Sequence, residues 1–227
     1  MTHKIGLIFD VDGVIADTEP LNAKVTIKVL GDLFGLQGVR PEDFAAGFGR
    51  GAEAYIKAGA KVHGLELADE QVAAAAALRE RYLIEALRRD PLPAFPGVLE
   101  LMAKALQQPE FRLAIATSAT LEISRAILES ARVPYQKMVY VTGSEVKEKK
   151  PSPEIFLVAA RRMGIEPFHC VVFEDAPSGV QAAKAAGARC IAVTNTAPAE
   201  ELRQADLVCD SLAEVTLDMP RSLVGES

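Results

Sequence analysis

The chain has 227 residues, 49% apolar and 25% charged, which suffices for one large domain, or a domain carrying an insert, with a real core and a soluble surface. A net charge of −6 argues against nucleic acid or an acidic membrane as the main partner, while leaving room for a small anion at a locally positive site. No apolar run reaches the roughly 18 residues of a membrane span, and the first strand pattern begins too early to leave room for a signal peptide.

Cys170, Cys190 and Cys209 are odd in number, far apart and each set in an apolar run, so they read as buried reduced thiols of a cytoplasmic protein. His3, His63 and His169 are equally scattered. A monomer is the default expectation.

In chain order, Leu7-Ile8-Phe9 is a short apolar run that ends abruptly in Asp10-Val11-Asp12-Gly13. It reads as a strand buried on both faces, followed by a glycine turn. Two carboxylates at a strand end serve the same space, and at ~4 Å they repel by about 4 kcal/mol at an effective dielectric of 20. A hard divalent cation, most often Mg²⁺, is their natural partner. The same residues also read as a solvated Asp-x-Asp-Gly turn; an EF-hand loop is excluded because the glycine comes too early and no Glu closes it.

The spacing of Leu21, Val25, Val29, Leu30 and Leu33 predicts a helix over Pro20–Phe34, and Glu42–Arg89 reads almost wholly helical. Its clearest part is Asp69–Arg89, acidic at the start and basic at the end as the helix dipole prefers. Gly47-Phe48-Gly49-Arg50-Gly51-Ala52 imitates a dinucleotide fingerprint but lacks a preceding strand. The proline-rich stretch 90–97 then marks a boundary.

Beyond it, helical stretches alternate with β-like runs at Leu113–Thr117, Met138–Val141, Cys170–Phe173, Cys190–Val193 and Leu207–Cys209. That alternation predicts an α/β fold: a Rossmann-like parallel sheet built from residues 1–16 and 95–227, with an all-helical insert at 17–94.

Three further strand ends carry polar groups. Thr117-Ser118 offers two hydroxyls for a phosphate, or a helix N-cap, a job open to Ser118 or Thr120 as well. Lys150, held extended by Pro151, could aim an ammonium at the carboxylates and hold a phosphate. Glu174-Asp175 repeats the opening design, although Asp175 could simply cap the helix after Pro177. Parallel strands deliver their carboxyl ends to one edge, so the four signals should converge there.

With FDVDGVIADTEP, ATS, KKPSPEIF and FEDAPSGVQAAKAAG in this order, the sequence resembles the haloacid dehalogenase (HAD) superfamily, in its β-phosphoglucomutase-like branch with a helical cap. The resemblance spans nearly the whole chain. It implies a Mg²⁺-dependent phosphatase acting on a small phosphorylated metabolite, a sugar or polyol phosphate, through an aspartyl-phosphate. Asp10 would be the nucleophile and Asp12 the general acid/base. Thr117, Ser118 and Lys150 would bind the phosphoryl group. Asp10, Asp175, Glu174 and the backbone carbonyl of Asp12 would form the metal site.

The alternative is a sugar phosphomutase. The histidine of the mutase cap is replaced here by Asn22, its arginine is matched by Arg50, and its lysine has no clear match, Arg79 and Arg81 being only nearby. A non-catalytic receiver module is disfavoured by the size of the insert and by an acidic motif so early in the chain.

Overall fold

The computed structural model describes residues 4–225; His3 and the outermost ends of the expected core ranges lie outside it. Six strands, β1 (Ile5–Phe9), β2 (Phe111–Ala116), β3 (Val139–Val141), β4 (Cys170–Glu174), β5 (Arg189–Val193) and β6 (Leu207–Cys209), form one sheet in the order β3-β2-β1-β4-β5-β6. Every pairing is parallel, with Phe9 beside both Ile115 and Phe173. The expected runs all became strands, with ends shifted by no more than two residues.

Both faces of the sheet are covered, which explains why its strands read as continuous apolar runs. On one face Leu7, Phe9, Leu113, Ile115, Val171, Phe173, Ile191 and Val193 share a core with the helices α1 (Glu19–Phe34), α4 (Val98–Leu106) and α5 (Leu121–Ser130). On the other, Ile8, Ala114, Val172, Cys190 and Ala192 pack on α6 (Glu154–Met163) and α7 (Pro177–Ala185). The Phe9 and Phe173 rings stack at 4.5 Å across the central pair, just below the sheet edge where Asp10 and Glu174 emerge. Cys170 and Cys190 are buried free thiols; Cys209 is only half-buried because β6 is an edge strand.

Between β1 and α4 the chain runs through α1, a 3₁₀ segment (Pro41–Gly47), α2 (Ala52–Val62) and α3 (Asp69–Arg89). The first part of the stretch expected to be helical is thus a 3₁₀ segment and loop. Arg40, extended at the N-cap, donates its amide to the Asp43 carboxylate at 2.9 Å, and Pro41 fits the first position. Helix α3 starts and stops where its charge pattern placed the ends. The two chain crossings adjoin, with the Phe95 amide donating to the Ile15 carbonyl at 2.8 Å and Ala16 bridging Ala94. Among the described residues no helix is long and apolar enough to cross a membrane.

Candidate active site

Parallel pairing brings Asp10, Thr117 and Asp175 to one edge of the sheet, each just past the end of its strand. Gly13 makes the first turn possible at φ 75°, and a Cβ there would sit 1.8 Å from the Asp175 carboxylate. Lys150 comes from the loop between β3 and α6, its peptide to Pro151 cis. The residue is 2% exposed, and its ammonium lies between Asp10, at 2.5 Å from Oδ1, and Glu174.

The other Glu174 oxygen accepts the amides of Asp175 and Ala176 at the start of α7. Gly179 makes room for it, since a Cβ there would fall 1.9 Å from Oε1. Glu174 therefore has its hydrogen-bonding capacity largely spent on holding Lys150 and the turn. Asp175 accepts from Thr196, and Asn195 ties the Gly13 carbonyl at 2.7 Å.

The electrostatics of this cluster are unbalanced. Ligand atoms of Asp10, Glu174 and Asp175 all lie within 4.8 Å of one another, and all three residues are buried. Burial pushes Asp10 up to about 8, with Glu174 and Asp12 adding to the rise and Lys150 opposing it. Asp175 is likewise held well above the carboxylate range, by burial and then by Glu174 and Asp10. Burial works against charge on Lys150, but Asp10 and Glu174 outweigh it and hold the ammonium above the ordinary lysine range. One ammonium cannot offset three ionised carboxylates, which is why Asp10 and Asp175 hold their protons so tightly, and an all-oxygen donor set of this kind suits a hard divalent ion such as Mg²⁺. The residues present fit that group.

Asp12 stands apart from the cluster. Its Oδ1 accepts the Thr18 hydroxyl at 2.6 Å and the Asn22 amide at 3.3 Å, on the side of the helical segment. Thr117 is fully buried, its hydroxyl accepting the Ala119 amide at 3.1 Å. The N-cap of α5 is Thr120, which also donates to Glu80 of α3 at 2.6 Å. Thr117 is thereby free of the capping job. Ser118 lies beside it, with its hydroxyl donating to the Gly49 carbonyl at 3.0 Å.

A cavity of about 1000 Å³ opens above Asp10, Asp12 and Lys150 and is roofed by α1, α2 and α3. Arg50 stands exposed at its wall, 3.5 Å from the Ala46 carbonyl. Arg79, which the sequence placed only in the neighbourhood, is buried in the roof. Its Nη2 donates to the Asn22 amide oxygen at 2.7 Å and its Nε to Thr26 at 2.8 Å. Glu19 also lines the cavity and accepts the Tyr55 hydroxyl; burial pushes it up to about 7, Tyr55 opposing. The sequence reading missed Glu19, Tyr55, Asn195 and Thr196. The polar run Thr194-Asn195-Thr196 after an apolar strand was a usable signal for the last two; nothing local marked Tyr55.

A family model described as haloacid dehalogenase-like hydrolase matches residues 6–187. Hexitol phosphatase A of Escherichia coli is 34% identical over 212 residues, covering 93% of this chain and 93% of that protein. Fructose-1-phosphate phosphatase YqaB of the same organism is 35% identical over 183 residues, covering 80% and 92%. The crystal structure of a CbbY variant from Rhodobacter sphaeroides in complex with xylulose 1,5-bisphosphate superposes with a TM-score of 0.80 at 28% identity, over 93% of this chain and 96% of that one. The chain belongs to the haloacid dehalogenase-like hydrolases. Within that family it is a phosphoric monoester hydrolase.

Proposed function

We propose that this enzyme is a Mg²⁺-dependent phosphatase of a small sugar or polyol phosphate, working through an aspartyl-phosphate on Asp10. The observation that carries the reading is the buried Asp10–Lys150–Glu174–Asp175 cluster at the floor of a cavity large enough for such a substrate. The sugar and polyol phosphatases among its relatives support the substrate class.

In the first step an Asp10 oxygen attacks phosphorus and the bond to the leaving oxygen breaks. Asp12 gives its proton to that departing alkoxide. Because Oδ1 of Asp12 already accepts two donors, the proton is carried on Oδ2. In the second step Asp12 takes a proton from water, the water oxygen bonds to phosphorus, and the Asp10–phosphorus bond breaks, returning the carboxylate and inorganic phosphate. Lys150 balances charge on the transferring oxygens, with Thr117 and Ser118 as further phosphoryl ligands. Asp10, Asp175 and the Asp12 carbonyl, backed by Glu174, would hold Mg²⁺, which when bound would neutralise charge on the phosphoryl oxygens.

Residues 17–94 act as a cap over a core of residues 1–16 and 95–227, flexing at the paired crossings near Ala16 and Phe95. Asn22 and Arg50 are the cap groups first expected to meet substrate. Acidic net charge and three free thiols fit a monomeric cytoplasmic enzyme with no nucleic-acid partner.

The test is phosphate release from p-nitrophenyl phosphate and a panel of sugar and polyol phosphates, with Mg²⁺ and with chelator. Release that survives chelation would sink the metal role. Isomer formation without free phosphate would favour the mutase instead.

A further inference from the structure

We propose that Glu19 is a specificity residue that selects a neutral, hydroxyl-bearing leaving group and turns away an anionic one; this rests on the phosphatase reading above. Three elements of the roof meet at this carboxylate. Glu19 opens α1, Tyr55 projects from α2, and Arg79 comes from α3, and all three line the cavity that holds Asp10 and Asp12.

One Glu19 oxygen is taken by the Tyr55 hydroxyl. Tyr55 is itself fixed, its ring stacked on Phe44 at 4.5 Å and lying 5.4 Å from the Arg79 guanidinium carbon. Among the described residues Glu19 forms no ion pair, so beyond the Tyr55 bond its carboxylate keeps acceptor capacity, and the residue lines the cavity. Arg79 spends Nε and Nη2 on the neutral Thr26 and Asn22 side chains, which leaves Nη1 as a donor. Above about pH 7, where Glu19 is mostly ionised, the wall thus offers one charged acceptor and one charged donor, a pattern that neighbouring hydroxyl groups match in both directions.

Charge completes the argument. Arg79 is 6% exposed and stands against two carboxylates, Asp12 and Glu19, so its charge is already offset and the Glu19 carboxylate keeps its negative character toward the cavity. A carboxylate or second phosphate placed here would meet Glu19 in a poorly solvated space and be repelled. A hydroxyl would instead donate to it. Burial raises the affinity of Glu19 for a proton, and the Tyr55 hydroxyl opposes the rise, as expected of a carboxylate in a poorly solvated wall. Replacing Glu19 by a neutral residue leaves Arg79 unbalanced, so discrimination should collapse toward acidic esters.

The experiment uses two matched substrate pairs, in which a carboxylate replaces a hydroxymethyl group: glycerol 3-phosphate against 3-phosphoglycerate, and sorbitol 6-phosphate against 6-phosphogluconate. The readout is the ratio of kcat/KM within each pair. Wild type should favour the neutral member at least tenfold in at least one pair, and Glu19→Gln should cut that ratio at least tenfold. Tyr55→Phe, which removes the donor that holds Glu19, should lower it about threefold. Thermal melts check that both variants are folded.

A wild type that hydrolyses both members equally, or a ratio unmoved by both substitutions, overturns the proposal. No phosphate release by wild type from any ester is a different result and overturns the phosphatase reading itself.

Discussion

Replacing Lys150 with methionine tests the charge arrangement of the floor. The substitution keeps most of the side-chain volume but leaves Asp10, Glu174 and Asp175 buried with no cation from the protein. Breaking a buried ion pair by deleting one partner costs about 3–5 kcal/mol. For a protein of this size each kcal/mol lowers the melting temperature by about 2–4 °C, so a fall of about 6–20 °C is expected. Mg²⁺ should recover part of it, about 2.7 kcal/mol at a hundredfold excess over Kd. Lys149→Met serves as the comparison. That residue is exposed and its ammonium donates to the Gly143 carbonyl, so its loss should cost about 1 kcal/mol or less. Calorimetric melts of both variants, with Mg²⁺ and with chelator, give the answer. A Lys150→Met protein that melts within about 2 °C of wild type would refute the claim that this ammonium holds the carboxylates together.

Glu19 makes a pH-dependent contribution. Its folded value of about 7 lies above the ordinary 4.5, so the folded state binds that proton more tightly and stability is lost as pH rises from 4.5 through 7. Discounted for partial exposure, the loss at pH 8 is about 1–2 kcal/mol. Glu19→Gln should therefore be more stable than wild type in urea at pH 8 and equal to it near pH 4.5; the same gap at both values would contradict this. Gly179→Ala would drive a methyl into Glu174 and should cost about 1–3 kcal/mol in urea unfolding, together with at least a tenfold loss of kcat. Ser178 donates to the Phe48 carbonyl at 3.0 Å, joining core to roof, so Ser178→Ala should weaken closure by about 1 kcal/mol and raise KM about fivefold. A change in kcat alone would place the effect elsewhere.

Most of the sheet could be read from the chain because each buried strand is an unbroken apolar run that stops at a polar group. That is why Asp10 and Glu174-Asp175 could be picked out by position, whereas Lys150 was picked out from its charged loop and the proline that follows it; the ends of α3 followed from its charges. The roof was less legible. Arg79 looks like one of many arginines on an Ala-rich helix; only the packing of α1 against α3 sets it against Asn22 and Thr26. Tyr55 and Glu19 are 36 positions apart and neither belongs to a periodic pattern that distinguishes a cavity wall from a core. The 3₁₀ segment at 41–47 was read as helix because its composition is helical, whereas the short span between a proline and Gly47 fixes its tighter winding.

The central claim is that the phosphoryl group passes through Asp10 before it reaches water. Its most direct test is the stereochemical course at phosphorus, using a substrate whose phosphoryl group is made chiral with oxygen isotopes. Two successive in-line displacements predict net retention of configuration. Net inversion would mean that water attacks the ester directly, and would contradict the account.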